Sequence, residues 1–294
     1  VVSFGGDNVE PNEDAKTLFA LQEAGPNRNA IRSAINGISI PNAGVLTSIG
    51  DGLNKGQDEL DKLPSPEFQP FIVLLSDGME NEGRFWENAP EVRSRILSSG
   101  THVVAIALGP TADQALMQDI ASDTGGYYYY VDLNPTAAAK VSPNQPVLAQ
   151  TNAMVNYSNL DYSIRLADVY KMSQEFVGNQ SRLWEEAGSM TAGEKRDLKI
   201  DLQEGGVTKA VLAFYWSNDK AGTAVDLFRP DGSLVQSGDA GVQIFRSSRH
   251  IVYQMEKLER GLWSASFGTQ ADIDFIGMLS GIPESGLTMD VRFT

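Results

Sequence analysis

The chain has 294 residues, 41% of them apolar, with a net charge of −15 and a sequence pI of about 4.5. That length allows one large core or two ordinary ones, and so acidic a surface repels nucleic-acid phosphates and anionic lipid, so neither is an expected partner. No run of 18 apolar residues encodes a membrane helix, and without cysteine there is neither a disulfide nor a thiolate metal site.

In chain order, Val1–Phe4 reads as a strand stub and Lys16–Glu23 as an edge strand. Asn29–Ile40 sets Ile31, Ala34, Ile35 and Ile38 on one helical face, and Ser48–Leu63 does the same with Ile49, Leu53, Leu60 and Leu63. Phe71–Leu75 is a continuous apolar run, the mark of a strand buried on both faces, and it stops at Ser76-Asp77-Gly78. Trp86–Ser99 is amphipathic and closes at Gly100. His102–Leu108 is a second buried strand, Ala112–Thr124 a helix, and Tyr127–Val131 a strand after Gly125-Gly126. In that strand the period of two predicts two tyrosines inward and two outward.

Asn134–Gln150, rich in Pro, Ala and Asn, belongs to a loop insertion over 134–158. Asn159–Val177 reads as the last helix of a first domain, with Leu160, Ile164, Ala167, Val169, Tyr170 and Phe176 as buried positions. Apolar strands alternating with amphipathic helices predict an α/β domain, a doubly wound, mostly parallel sheet over residues 1–178. Ligands gather at the C-terminal ends of such strands, which is where Asp77 stands.

From about Ser181 the pattern changes to short strands: Lys199–Leu202, Ala210–Trp216, Ala224–Phe228, Val242–Phe245, His250–Met255, Leu262–Phe267, Ile273–Leu279 and Leu287–Phe293. Turns such as Pro230-Asp231-Gly232 separate them, which predicts a β-sandwich over residues 181–294.

The candidate chemistry is narrow. There is no nucleophile elbow, no zinc-binding His pair and no phosphate-cradling glycine motif. His102 and His250 fall within strands and read as structural. Hard-oxygen metal binding is better served: Thr47 stands before a helix start and Asp77 at a strand tip, and Mg²⁺ accepts one carboxylate, hydroxyls and waters. The competing reading makes Thr47 or Ser48 a helix cap and Asp77 a turn former. Glu80, Asn81 and Glu82 read as solvated loop residues.

Leu74-Leu75-Ser76-Asp77-Gly78, Thr47-Ser48-Ile49-Gly50-Asp51-Gly52-Leu53, Val103–Gly109 and Gly125-Gly126 occur in the order found in von Willebrand factor type A domains, and the first half of the chain resembles that family. The resemblance implies a metal-ion-dependent adhesion site holding Mg²⁺, or Mn²⁺ or Ca²⁺, with Thr47 and Asp77 as two of its ligands. It also implies an Asp-x-Ser-x-Ser loop after a first strand. No such segment occurs here, so the first strand is expected to be missing and metal affinity to be weak or absent. A type A domain followed by a β-sandwich, with Ala107-Leu108-Gly109-Pro110 and Phe228-Arg229-Pro230-Asp231-Gly232, is similar to the middle of calcium-activated chloride channel regulator proteins.

What this implies is a non-enzymatic adhesion module of a secreted or surface protein, binding a protein partner's exposed Asp or Glu through the cation. The resemblance further implies a switch made by moving the Asn159–Val177 helix. The alternatives are a structural subunit with a non-functional metal site and a metal-assisted hydrolase, for which no general base is evident.

Overall fold

The computed structural model describes residues 1–5, 14–38, 46–62, 69–83, 85–87, 90–133, 160–202 and 206–284. Among them, contacts define two compact units, one of residues 1–133 and one from residue 160 onward. The sequence pattern set that division at 178–181. The expected insertion over 134–158 and the expected strand Leu287–Phe293 lie outside the described residues.

The first unit runs β1 (Val2–Phe4), β2 (Ala15–Thr17), α1 (Ala24–Asn36), α2 (Ile49–Asp61), β3 (Phe71–Ser76), α3 (Pro90–Ser98), β4 (His102–Leu108), α4 (Gln114–Asp123) and β5 (Tyr128–Val131). β1 and β2 form an antiparallel pair. β3, β4 and β5 form a parallel sheet in sequence order, with Leu74 opposite Ala105 and Ala105 opposite Tyr128. Parallel neighbours need crossovers, and α3 and α4 are those crossovers. Ile49 and Leu53 of α2, Val92 and Ile96 of α3, and Met117 and Ile120 of α4 bury themselves against Leu74, Val103, Ala105 and Ala107. On the opposite sheet face Val104, Ile106, Tyr129 and Val131 are buried too. The unbroken apolar run of β4 thus meets a sheet covered on both sides, whereas β3, expected to be buried on both faces, lies at the edge of the described sheet with Val73 47% exposed and only Leu74 and Ser76 buried.

Three local expectations change. Tyr128, Tyr129 and Tyr130 are all buried rather than alternating, because both faces of β5 are covered. The strand expected over Lys16–Glu23 shortens to three residues. The apolar face of α1 is not a core face: Ile35 is 51% and Ile38 45% exposed, and the helix buries no residue. Its spacing was helical, but spacing alone does not supply an element to pack against.

The second unit begins with α5 (Tyr162–Val177), followed by β6 (Ser181–Met190), β7 (Lys195–Leu202), β8 (Val207–Trp216), β9 (Ala224–Phe228), β10 (Val242–Arg246), β11 (His250–Leu258), β12 (Gly261–Gly268) and β13 (Ile273–Pro283). Two antiparallel sheets form, ordered β10-β11-β8-β13-β6 and β7-β12-β9. Their facing residues share one core in which Phe267 meets Phe275 edge-on at 4.9 Å and Phe214 at 5.9 Å. β6 was not legible in the sequence. Its Arg182 and Glu185 break any alternation because they face ion pairs rather than water.

Arg182 also reaches α5. Leu160, just ahead of the helix, and Ile164 pack on Ile276 and Met278, on the sheet face away from the sandwich core. Beside them Arg182 binds Asp168, Glu175 (3.0 Å) and Glu185. Lys171, on the same helix, donates to Gln174 Oε1 (2.7 Å) and to Ser280 Oγ. The helix expected to close the first domain and to act as its switch is therefore anchored to the second unit's sheet by apolar and ionic contacts. Of its expected buried positions, Leu160, Ile164 and Val169 are buried, whereas Tyr170 is 44% exposed.

Burial lowers the Lys171 ammonium from 10.5 to about 8. Between those values the unfolded chain holds a proton that the folded chain does not, so stability rises with pH there. The full gain is about 3 kcal/mol, most of it accrued before tyrosine ionisation intervenes near pH 10. Denaturant midpoints from pH 8 to 9.5 should climb in the wild type relative to Lys171→Met. A relative fall would refute the assignment.

Candidate functional site

Thr47 lies two residues ahead of α2 and Asp77 immediately after β3. The fold brings them together. A Cβ built on Gly78 would overlap the Thr47 hydroxyl oxygen and stand 3.4 Å from Thr47 Cβ. Only glycine lets the hydroxyl lie over the backbone there. With consecutive Cα atoms about 3.8 Å apart, the hydroxyl falls within about 8 Å of Asp77 Cα. Asp77 is exposed. Neither its carboxylate nor the Thr47 hydroxyl has a hydrogen-bond partner among the described residues.

The frame around the pair is closely tied. Thr111 Oγ1 donates to the Asp77 carbonyl (2.7 Å), and the Asp113 N–H donates to the Gly78 carbonyl (3.2 Å), so the loop after β4 buttresses the loop after β3. The Thr47 N–H donates to Asn81 Oδ1 (2.7 Å), while the Asn81 and Glu82 N–H groups donate back to the Thr47 carbonyl at 3.0 and 3.3 Å.

At the start of α2, Ser48 makes no side-chain cap bond. Its buried hydroxyl donates to Asp51 Oδ2 at 2.7 Å. Glu80 takes over the capping from outside the helix, accepting the Gly50 N–H (2.8 Å) and the Trp86 N–H (3.1 Å). A carboxylate at a helix N-terminus is favoured by the orphan N–H groups and the dipole. Burial nonetheless pushes the Glu80 carboxyl above its ordinary value; the two N–H groups oppose that rise, and Asp113 and Asp51 add repulsion.

The Thr47 hydroxyl thus lies over Gly78, the residue next to Asp77 in the chain. Glu80 and Asn81, read from the sequence as solvated, hold the site's backbone. Nothing in a linear pattern distinguishes an acid that hydrates a loop from one that folds back onto a helix 30 residues earlier. A hydroxyl and a carboxylate are the hard-oxygen donor types that a cation keeping most of its waters accepts. Among the described residues no group of three or more His, Cys, Asp or Glu stands ready to hold a metal, so any cation here leans on hydroxyls and water. His102 and His250 are structural: His102 Nδ1 meets the Thr124 carbonyl at 2.6 Å, and His250 Nδ1 meets Ser247 Oγ at 2.8 Å.

Residues 1–142 match the family model of the von Willebrand factor type A domain. No curated protein matches the chain. Among solved structures the chain is similar to a von Willebrand factor type A protein from Catenulispora acidiphila, at 13% identity and a TM-score of 0.37, covering 88% of this chain and 43% of that one. It is also similar to the pilus adhesin SpaC from Lactobacillus rhamnosus GG in its open conformation, at 12% identity and 0.37, covering 100% of this chain and 34% of the adhesin. A third similarity is to proximal thread matrix protein 1 from the mussel byssus, at 18% identity and 0.37, covering 60% and 38%. The chain spans less than half the length of each of these proteins, and likeness at this level carries no argument about function.

Proposed function

With a von Willebrand factor type A domain in its first half, we propose that this chain is a protein-binding module whose contact surface is the Asp77–Gly83 loop together with Thr47. The proposed partner is a protein with an exposed Asp or Glu, bound through a divalent cation, Mg²⁺ or in its place Mn²⁺ or Ca²⁺. Thr47 and Asp77 would hold that cation, which when bound supplies positive charge and an open coordination position for a visiting carboxylate. The observation carrying this reading is the placement of the Thr47 hydroxyl over Gly78, the residue after the exposed Asp77, with neither side chain's polar group hydrogen-bonded among the described residues. Asp51, Glu80 and Asp113 add negative potential around the pair, which favours a cation.

The reading is non-enzymatic. Glu80, the acid at the site whose carboxyl is pushed up, is committed to two backbone N–H groups and so offers no free general base. No described helix is long and apolar enough to cross a membrane. Placement in a secreted or surface protein, with a calcium-activated chloride channel regulator-like order of domains, is part of the same proposal. A second reading, a structural subunit that binds without metal, is favoured by the lack of a carboxylate cluster among the described residues.

The two readings separate on Mn²⁺ addition to ¹⁵N-labelled protein. Selective broadening of the Thr47 and Gly78 amide signals is expected, and Asp77→Ala should abolish it while leaving other resonances in place. Broadening that survives the substitution, or none in the wild type, removes the metal-dependent reading and leaves the metal-independent one.

A further inference from the structure

We propose that Asn81 is a positioning residue that sets where the Thr47 hydroxyl stands relative to the Asp77 carboxylate, a role that rests on reading this pair as a cation-holding site. Thr47 sits outside any regular element, and Ser48 after it is not yet helical (φ −114°, ψ 75°). Its position is therefore not dictated by the helix. It is held instead at both ends by one residue: the Thr47 N–H donates to Asn81 Oδ1 at 2.7 Å, and the Asn81 N–H donates to the Thr47 carbonyl at 3.0 Å.

Asn81 lies four positions beyond Asp77 in a loop pinned by separate contacts, Thr111 on the Asp77 carbonyl and Asp113 on the Gly78 carbonyl. The chain that delivers the carboxylate thus reaches across and fixes the segment that delivers the hydroxyl. Glu80, between them, anchors the same loop to Gly50 of α2. The division of labour is clear from the donors: Glu80 secures the helix start, and Asn81 secures Thr47.

Of the bonds between the two segments at Thr47, only the one to Oδ1 depends on the side chain at position 81. Asn81→Ala removes that acceptor and leaves the two N–H groups on the Thr47 carbonyl, so Thr47 gains freedom to pivot while the loop stays closed. Asn81→Asp keeps an acceptor at the same place.

Two readouts test this. Without metal, Asn81→Ala should raise hydrogen exchange at the Thr47 amide by about tenfold, as the loss of one ordinary hydrogen bond implies. The Gly50 amide should stay protected, and Asn81→Asp should restore the Thr47 amide. With Mn²⁺, apparent affinity read from Gly78 broadening should fall by about the same factor in Asn81→Ala and recover in Asn81→Asp. An unchanged Thr47 amide in Asn81→Ala overturns the proposal. So does a loosened Thr47 with undiminished Mn²⁺ broadening, which would make Asn81 a scaffold residue only. Absence of broadening in the wild type overturns the cation reading, and the exchange measurement then decides on its own whether Asn81 holds Thr47.

Discussion

Gly126→Ala is expected to unfold the first unit, at a cost of about 4 kcal/mol or more, in the range reserved for severe backbone conflicts. A Cβ at this position would overlap the Val103 carbonyl oxygen and lie 2.6 Å from its carbon. The obstacle is backbone of β4, the central strand of the parallel sheet, and it cannot rotate aside as a side chain could. Moving Gly126 instead would disturb its N–H bond to the Ala121 carbonyl (2.8 Å), which closes α4, and the Ala105 N–H bond to the Tyr127 carbonyl (2.8 Å), which starts the β4–β5 pairing. Hydrogen exchange of peptides covering His102–Leu108 is the direct measure. Wild-type protection in that strand would show that the approach of the two chains is looser than described.

Arg182→Met should cost the second unit about 3–5 kcal/mol at pH 7, because removing one side of a buried ion pair leaves uncompensated charge. The side chains of Asp168, Glu175 and Glu185 around it are 11%, 9% and 5% exposed. Lys171, 3.9 Å from Glu175, would be the nearest remaining cation given by the ion pairs. Burial already pushes the Glu175 carboxyl up against the pull of Arg182. Without the guanidinium, that carboxyl must rise further. A raised carboxyl destabilises the fold above its folded pKa and stops doing so once protonated. The variant's deficit should therefore shrink as pH falls from 7 toward 5. Chemical denaturation at both pH values checks this, and an equal deficit at each would mean the loss is of packing and not of charge.

The element pattern of the first unit was legible where a strand or helix carries its own burial requirement. Val103–Leu108 is apolar throughout and forms a strand together with His102; Ile49 and Leu53 are spaced for one helical face and are fully buried. β6 was illegible because its Arg182 pairs with Asp168 and Glu175 of a helix that comes earlier in the chain and with Glu185 of its own strand, and alternation cannot report that. The exposed face of α1 differs from its pattern for the converse reason: Ile35 and Ile38 have the right period but no covering element among the described residues. The candidate site divides in the same way. Thr47 and Asp77 could be proposed from position, one before a helix and one at a strand tip. Glu80 and Asn81 could not, because their partners Gly50 and Thr47 lie 30 and 34 residues away in sequence.

By itself the sequence determined which segments are strands or helices across most of the chain, and that a hydroxyl and a carboxylate sit at element ends. Hydrophobic periodicity is a local property, and a segment carries it wherever it packs. Tertiary structure alone decided that α5 lies on the antiparallel sheet, that Gly78 admits the Thr47 hydroxyl beside Asp77, and that Asn81 and Glu80 fasten that arrangement. Each of these depends on contacts between residues distant in the chain, where close approach and hydrogen-bond geometry rather than local pattern select the partner.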